Sequence, residues 1–252
     1  MKVNNPTNLP QVFINAIINS AKDYDRPDAH KISTTQLIDA PIQRILFRDH
    51  IEEIEVNALD ELYSLHGTAM HYLMEKAGSG YVTEVRQEIE HTGQIVSGKI
   101  DLLDTMAKTL WDYKETSVYT FKYNPSGKKA WEEQANVNRY IFRKRGFEII
   151  SLKILVFLSD WREIESLKEG SWYPKDKCFV LDLPVWSDTR IEEFLKARIR
   201  YHQVVEGQFR ETGKLIHCTE EERWKDKDVY AVTKPDASRS LKNFDTYPEA
   251  ET

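Results

Sequence analysis

At 252 residues, with 40% hydrophobic and 11% aromatic content and six tryptophans, the chain has the material for a sizeable buried core and is not a disordered one. Its 30% of charged residues and formal net charge of −6 exclude a globally basic protein, yet leave room for a local basic surface or a bound cation. No apolar run approaches the ~20 residues that cross a bilayer, and "MKVNNPTNLPQVF" lacks the apolar core of a signal peptide, so no membrane partner and a cytoplasmic location are expected.

In chain order, "LPQVFINAIINSAKDYD" spaces its apolar residues helically and predicts a first helix over about 9–22. Ser33, Thr34 and Thr35 are N-cap candidates for a short helix, and Pro41 suits the opening of another. "NALDELYSLHGTAMHYLMEKAGSG" predicts a helix over about 57–77 that stops at the glycines. The period then drops to two, and residues 81–91, 94–104 and 109–119 predict an antiparallel meander. "YNPSGKK" reads as a loop, 130–146 as a helix ending at Gly146, and "FEIISLKILVFLSDW" as a strand buried on both faces. Residues 162–176 read as loop, "KCFVLDLPVW" as a strand, and "TRIEEFLKARIRYHQVVEG" as an amphipathic helix with a basic stripe. The tail beyond it alternates turns and short strands and is expected to be mobile. The expectation is one mixed α/β domain over 1–252, with a helical N-terminal part (1–80), a core (81–160) and a C-terminal elaboration (161–252). Cys178 and Cys218 are far apart and lack a CxxC partner, so they read as packing residues in a reducing compartment.

Residues two apart on a strand share a face about 7 Å apart, so Asp112 and Lys114 of "WDYKET" project together while Trp111, Tyr113 and Glu115 face the other way. Asp101 follows "SGKI" on the preceding segment, where Gly98 permits close approach of backbone or ligand. Glu84 and Glu88, of one parity, stand on the segment before that. Carboxylates gathered on a sheet raise one another's pKa and lose solvation unless a cation sits among them, and hard oxygen donors select Mg²⁺ or Mn²⁺. A lone D-x-K is ordinarily a solvated strand face. Carboxylates on three successive segments are a more specific sign.

"GKID" followed by "WDYK" resembles the PD-(D/E)XK nuclease superfamily, in particular its RecB-like exonuclease branch. "HGTAMHYLMEK" resembles that branch's G-x-x-x-H-x-x-x-E helix, and "WEEQANVNRY" its glutamine helix. "ISTTQL", "FLSDW", "LPVW", "CTEEERW" and "YAVTK" resemble phage-encoded members, which would place the protein in a host cell's cytoplasm. The resemblance implies a restriction-endonuclease-like α/β core, a mixed central β-sheet flanked by helices in αβββαβ order, with N-terminal helices and a C-terminal helix plus short strands.

It also implies roles. Asp101 and Asp112 would bind one or two Mg²⁺ or Mn²⁺ ions, with Glu84, preferred over Glu88, completing the carboxylate set, His71 as an extra ligand and the Tyr113 carbonyl as one more oxygen. Lys114 would assist the attacking water, and Gln134 would position that lysine or a DNA phosphate. The implied activity is a metal-dependent deoxyribonuclease. It would act as an exonuclease in DNA processing, recombination or degradation, on single- or double-stranded DNA and beside a recombinase, helicase or single-strand-binding protein. A catalytically silent DNA-binding or assembly module, or a site-specific endonuclease, are the alternatives. Asn138 departs from the pattern, standing where the family often has tyrosine; Tyr140 lies about 120° around the helix from Gln134. The cysteines of some relatives are absent too, so no iron–sulfur cluster is expected. Trp131 reads either as helix packing or as a base-stacking platform. Lys128 and Lys129, with Arg139, Arg143, Lys144 and Arg145, read as a solvated face or as phosphate contacts.

Overall fold

A computed structural model of the chain describes residues 2–22, 30–168, 170–223, 225, 228–234 and 239–251. Trp224 of "CTEEERW" and parts of the tail lie outside them. The chain divides into two compact units, Met1–Ile216 and His217–Thr252.

The first unit opens with β1 (Lys2–Asn4), α1 (Gln11–Lys22), β2 (Lys31–Ser33), α2 (Thr34–Ile38), α3 (Pro41–His50), β3 (Glu55–Asn57) and α4 (Leu62–Ala77). Five strands follow: β4 (Val82–Thr83), β5 (Arg86–His91), β6 (Gln94–Lys99), β7 (Leu102–Asp104) and β8 (Thr109–Thr116). After them come α5 (Tyr119–Tyr123), α6 (Lys129–Lys144), β9 (Ser151–Leu158), α7 (Glu163–Ser166), β10 (Cys178–Leu183) and α8 (Asp188–Thr212). In the second unit β11 (Tyr230–Thr233) and β12 (Ser240–Phe244) pair antiparallel and precede α9 (Tyr247–Glu251).

The central sheet is mixed, in the order β10-β9-β8-β7-β4, with β8 and β9 parallel and the other neighbours antiparallel. A parallel pair needs a long crossover, which α5 and α6 supply. A second sheet runs β2-β6-β5, with β2 parallel to β6, and β1 pairs with β3. Helix α6 lays Val137, Ile141 and Phe142, all fully buried, against the core that also holds Leu103, Leu110, Leu152, Ile154, Val156 and Leu195. Each such aliphatic burial contributes about 1.5–3 kcal/mol, so the sheet–α6–α8 stack is the rigid part of the molecule. A smaller cluster of Ile14, Ile17 and Ala58 ties down α1. No described helix is long and apolar enough to cross a membrane.

Several expectations need correction. The three-strand meander is five strands shared between two sheets. Strand β9 buries alternate residues, not both faces, and starts at Ser151 after an irregular stretch. The helix expected over 57–77 begins at Leu62, because 55–57 form a strand on β1. Helix α8 runs on to Thr212, where Gly213 ends it in the left-handed conformation (φ 65°). Cys178 is exposed on an edge strand and is not a packing residue.

Candidate active site

The site forms where one long hairpin bends from one sheet into the other. Thr83 pairs with Leu102 and Arg86 with Lys99, a single register that sets Glu84 directly opposite Asp101. Backbone bonds continue across the bend, Glu84 N–H donating to the Asp101 carbonyl (3.2 Å) and Ile100 N–H to that of Val85 (3.1 Å). Glu84 itself has a left-handed backbone (φ 55°), a conformation uncommon for a residue with a Cβ and worth about 1 kcal/mol of strain or more. The pairing of Leu102 with Trp111 continues to Asp101 beside Asp112, so carboxylates from three neighbouring chain segments fall in a row.

Helix α4 brings His71 over this row. Its Nδ1 is 3.1 Å from Glu84 Oε1 and 3.5 Å from Asp101 Oδ1, and its ring meets that of Tyr113 edge-on at 5.7 Å. One ligand atom each from His71, Glu84 and Asp101 lies within 4.8 Å of the others. Asp101 Oδ2 accepts from Tyr113 N–H at 2.7 Å. Burial, reinforced by the negative charge of Asp112, pushes the Asp101 carboxyl up to about 7. The hydrogen bond to Glu84, with the charges of Asp101 and Asp112, raises the His71 imidazole above its ordinary value. Glu84 is partly desolvated, but His71 and Lys99, the latter 2.5 Å away, hold it below the usual carboxylate range. A divalent cation is the group that relieves such a set. The donors are one imidazole and hard carboxylate oxygens, and Asp112 Oδ2 is buried with no hydrogen-bond partner beyond its ion contact to Lys114.

Lys114 projects beside Asp112, as strand parity predicts, with Nζ 3.2 and 3.0 Å from the two carboxylate oxygens. Nζ also donates to Gln134 Oε1 of α6 at 3.1 Å. Burial alone would lower the lysine, but Asp112 and Asp101 outweigh it and raise its pKa, so Lys114 is an ammonium.

Beside the carboxylates opens a cavity of about 530 Å³, lined by His71, Glu84, Asp101 and Gln134 together with Ser33 to Gln36, Gln43, Arg44 and Phe47. A capping box fixes the α2 wall: Ser33 Oγ accepts from Gln36 N–H at 3.3 Å, and Gln36 Oε1 accepts from Ser33 N–H at 3.2 Å. Thr34 Oγ1 donates to Asn138 Oδ1 at 2.8 Å, and Asn138 Nδ2 donates to the Lys99 carbonyl at 2.9 Å. Asn138 can sit there because Gly98 has no Cβ: a methyl would collide with Asn138 Oδ1 and come within 3.0 Å of Ile141. Asn138 is thus the pin joining α2, β6 and α6.

The structure therefore gathers His71, Glu84, Asp101, Asp112, Lys114 and Gln134, with Tyr113 between them. Glu88 is not part of the group; it pairs with Lys31 at 2.5 Å. Trp131 is buried, its ring packed on Phe121 at 6.2 Å, and has no face to offer a base, which corrects the stacking-platform reading. Lys128 and Lys129 are exposed at the start of α6. Arg86, Ser97 and Lys99, which also line the cavity, escape pattern reading. For Lys99 a signal existed, since it stands two residues before Asp101.

No protein-family model and no curated protein matches the chain. Among solved structures it is similar to SSO0001, at 14% identity over 75% of this chain and 84% of that one, with a TM-score of 0.50. The likeness is one of fold. It is also similar to a phage related exonuclease from Haemophilus somnus 129PT, at 12% identity over 71% and 96% of the two chains and a TM-score of 0.40. The alkaline exonuclease LHK-Exo from Laribacter hongkongensis is similar at 14% identity over 81% and 98%, also with a TM-score of 0.40.

Proposed function

We propose that the protein is a metal-dependent deoxyribonuclease of the PD-(D/E)XK type that acts as an exonuclease. The observation that carries this reading is the contact chain Asp112–Lys114–Gln134 running into the cluster of His71, Glu84 and Asp101 at the edge of a cavity. Asp101, Asp112, Glu84 and His71, with the Tyr113 carbonyl, would hold Mg²⁺ or Mn²⁺. The ion supplies Lewis-acid polarisation of a phosphoryl oxygen and charge neutralisation.

The protein's own residues then have separable tasks. Lys114 would act as a donor that orients the attacking water and balances negative charge gathering on the phosphate. Gln134 limits the rotamers open to that ammonium. Lys128 and Lys129, exposed at the start of the same helix, would meet phosphates outside the pocket. Incubating end-labelled linear and circular DNA side by side with Mg²⁺ or Mn²⁺ tests the reading. Loss of label from linear DNA with circles spared is expected. Equal cleavage of circles overturns the exonuclease assignment, and full activity in an Asp112→Ala, Lys114→Ala double variant overturns the site.

A further inference from the structure

Just beyond the catalytic strand the surface changes character. Residues 116–131 contain three lysines and no acidic residue, in a chain whose net charge is −6. Within this stretch α5 presents Tyr119 and Tyr123, 55% and 72% exposed, and the loop after α7 brings up Trp172, 45% exposed. Tyr119 and Trp172 have ring centroids 5.6 Å apart. Lys122 Nζ stands 5.3 Å from the Trp172 ring, 5.5 Å from Tyr123 and 5.9 Å from Tyr119. Large rings held open to water cost hydrophobic free energy, and clustered ones mark a contact surface.

The cluster is built, not loose. Asp160 accepts from Ser117 Oγ at 2.6 Å and from Val118 N–H at 2.7 Å, which fixes the entry to α5. Tyr173, whose ring lies 5.6 Å from that of Trp172, accepts from Arg162 N–H at 2.7 Å, and Trp161 Nε1 donates to the Pro174 carbonyl at 2.9 Å. Strand β8 ends two residues past Lys114 and leads into α5, so the rings stand at the end of the strand that carries Asp112 and Lys114. Lys128 and Lys129 continue the basic rim toward Gln134.

We infer that Tyr119, Trp172 and Lys122 form a stacking platform for a single strand of DNA, taking the unpaired bases outside the pocket while the lysines meet the backbone. Flat rings accept any base, and an ammonium among them matches the phosphate charge, which fits a strand read without sequence preference. The inference deepens the nuclease reading and rests on it for the path of the strand.

The test is a fluorescence-anisotropy titration of labelled oligothymidylate in EDTA, where cleavage is blocked, with wild type, Trp172→Ala, Tyr119→Ala and Lys122→Ala, each checked for an unchanged melting transition. Trp172→Ala should weaken binding by about tenfold or more. Lys122→Ala should also flatten the salt dependence by about 0.7 in log–log slope, a change that a purely structural role would not produce. Wild-type affinity and slope in all three variants, or no binding of oligothymidylate by the wild type, overturns the platform. A wild type that cleaves DNA while the variants bind normally loses the platform alone. A wild type that binds through these residues and cleaves nothing loses the nuclease reading alone.

Discussion

Lys114 is an ammonium held on three sides, by two oxygens of Asp112 and by Gln134. Replacing it with alanine should reduce the rate of DNA hydrolysis on the order of 10²-fold or more, as removing a donor aimed at developing charge does, while a thermal melt remains cooperative. Gln134→Leu leaves the ammonium and removes the clamp. An intermediate loss of about 10–100-fold in turnover is expected, in line with partners that orient a reacting group. At this scale the sequence is informative where parity governs: Asp112 and Lys114 share a face because strands alternate. It is uninformative where a side chain's environment comes from distant chain. Trp131 looks the same on paper as a surface platform or a core ring, and only the packing of Phe121 decides.

At the scale of elements, the long helices α1, α4, α6 and α8 and the positions of β8 to β10 were readable from period and length, whereas the single buried face of β9 was not, and the short α5 and α7 fell where no helix was expected. The division of the hairpin was not readable either. Period two runs through Glu84 and Ile100 without interruption, and a glutamate carries no sign that it will take φ 55°. Strands β1, β2 and β3, three residues each, are too short for a period to show. The contact of β6 with α6 gives a direct test. Gly98→Ala forces the alanine methyl into Asn138 and Ile141, so a loss of about 1–3 kcal/mol in a denaturant titration is expected, together with weaker DNA cleavage because Gln134 rides on the displaced helix. A Gly98→Ala protein as stable as wild type would mean that Asn138 can swing away freely.

For the whole molecule, the acidic row links stability to the proton and, on the proposed metal site, to a cation. Asp101 titrates near 7 when folded and far lower when unfolded, so without metal the folded form holds a proton the unfolded form has lost, and stability falls as pH rises from about 4 to 7. His71, raised in the fold, adds stability below its ordinary pKa that is likewise lost with rising pH. Glu84 has the opposite sign, but its window lies below its ordinary value, under the range that matters. On the proposed function, protons and cation would compete for the same atoms. Mn²⁺ at a hundredfold excess over its dissociation constant should add about 2.7 kcal/mol where the site is deprotonated. The melting-temperature gain should therefore be larger at about pH 8 than at about pH 5.5, and Asp101→Asn should shrink both the gain and the difference, His71 still competing for a proton. Equal gains at both values would place the ion elsewhere.

The fracture between the two sheets has a practical consequence for anyone seeking a minimal mimic. An excised peptide spanning 94–116 would carry Asp101, Asp112 and Lys114 but neither Glu84 nor His71, and the bend that aligns them depends on β2, β9 and α6 pressing from outside. Such a fragment would lack the proposed ligand set, which only the folded body of both sheets together assembles.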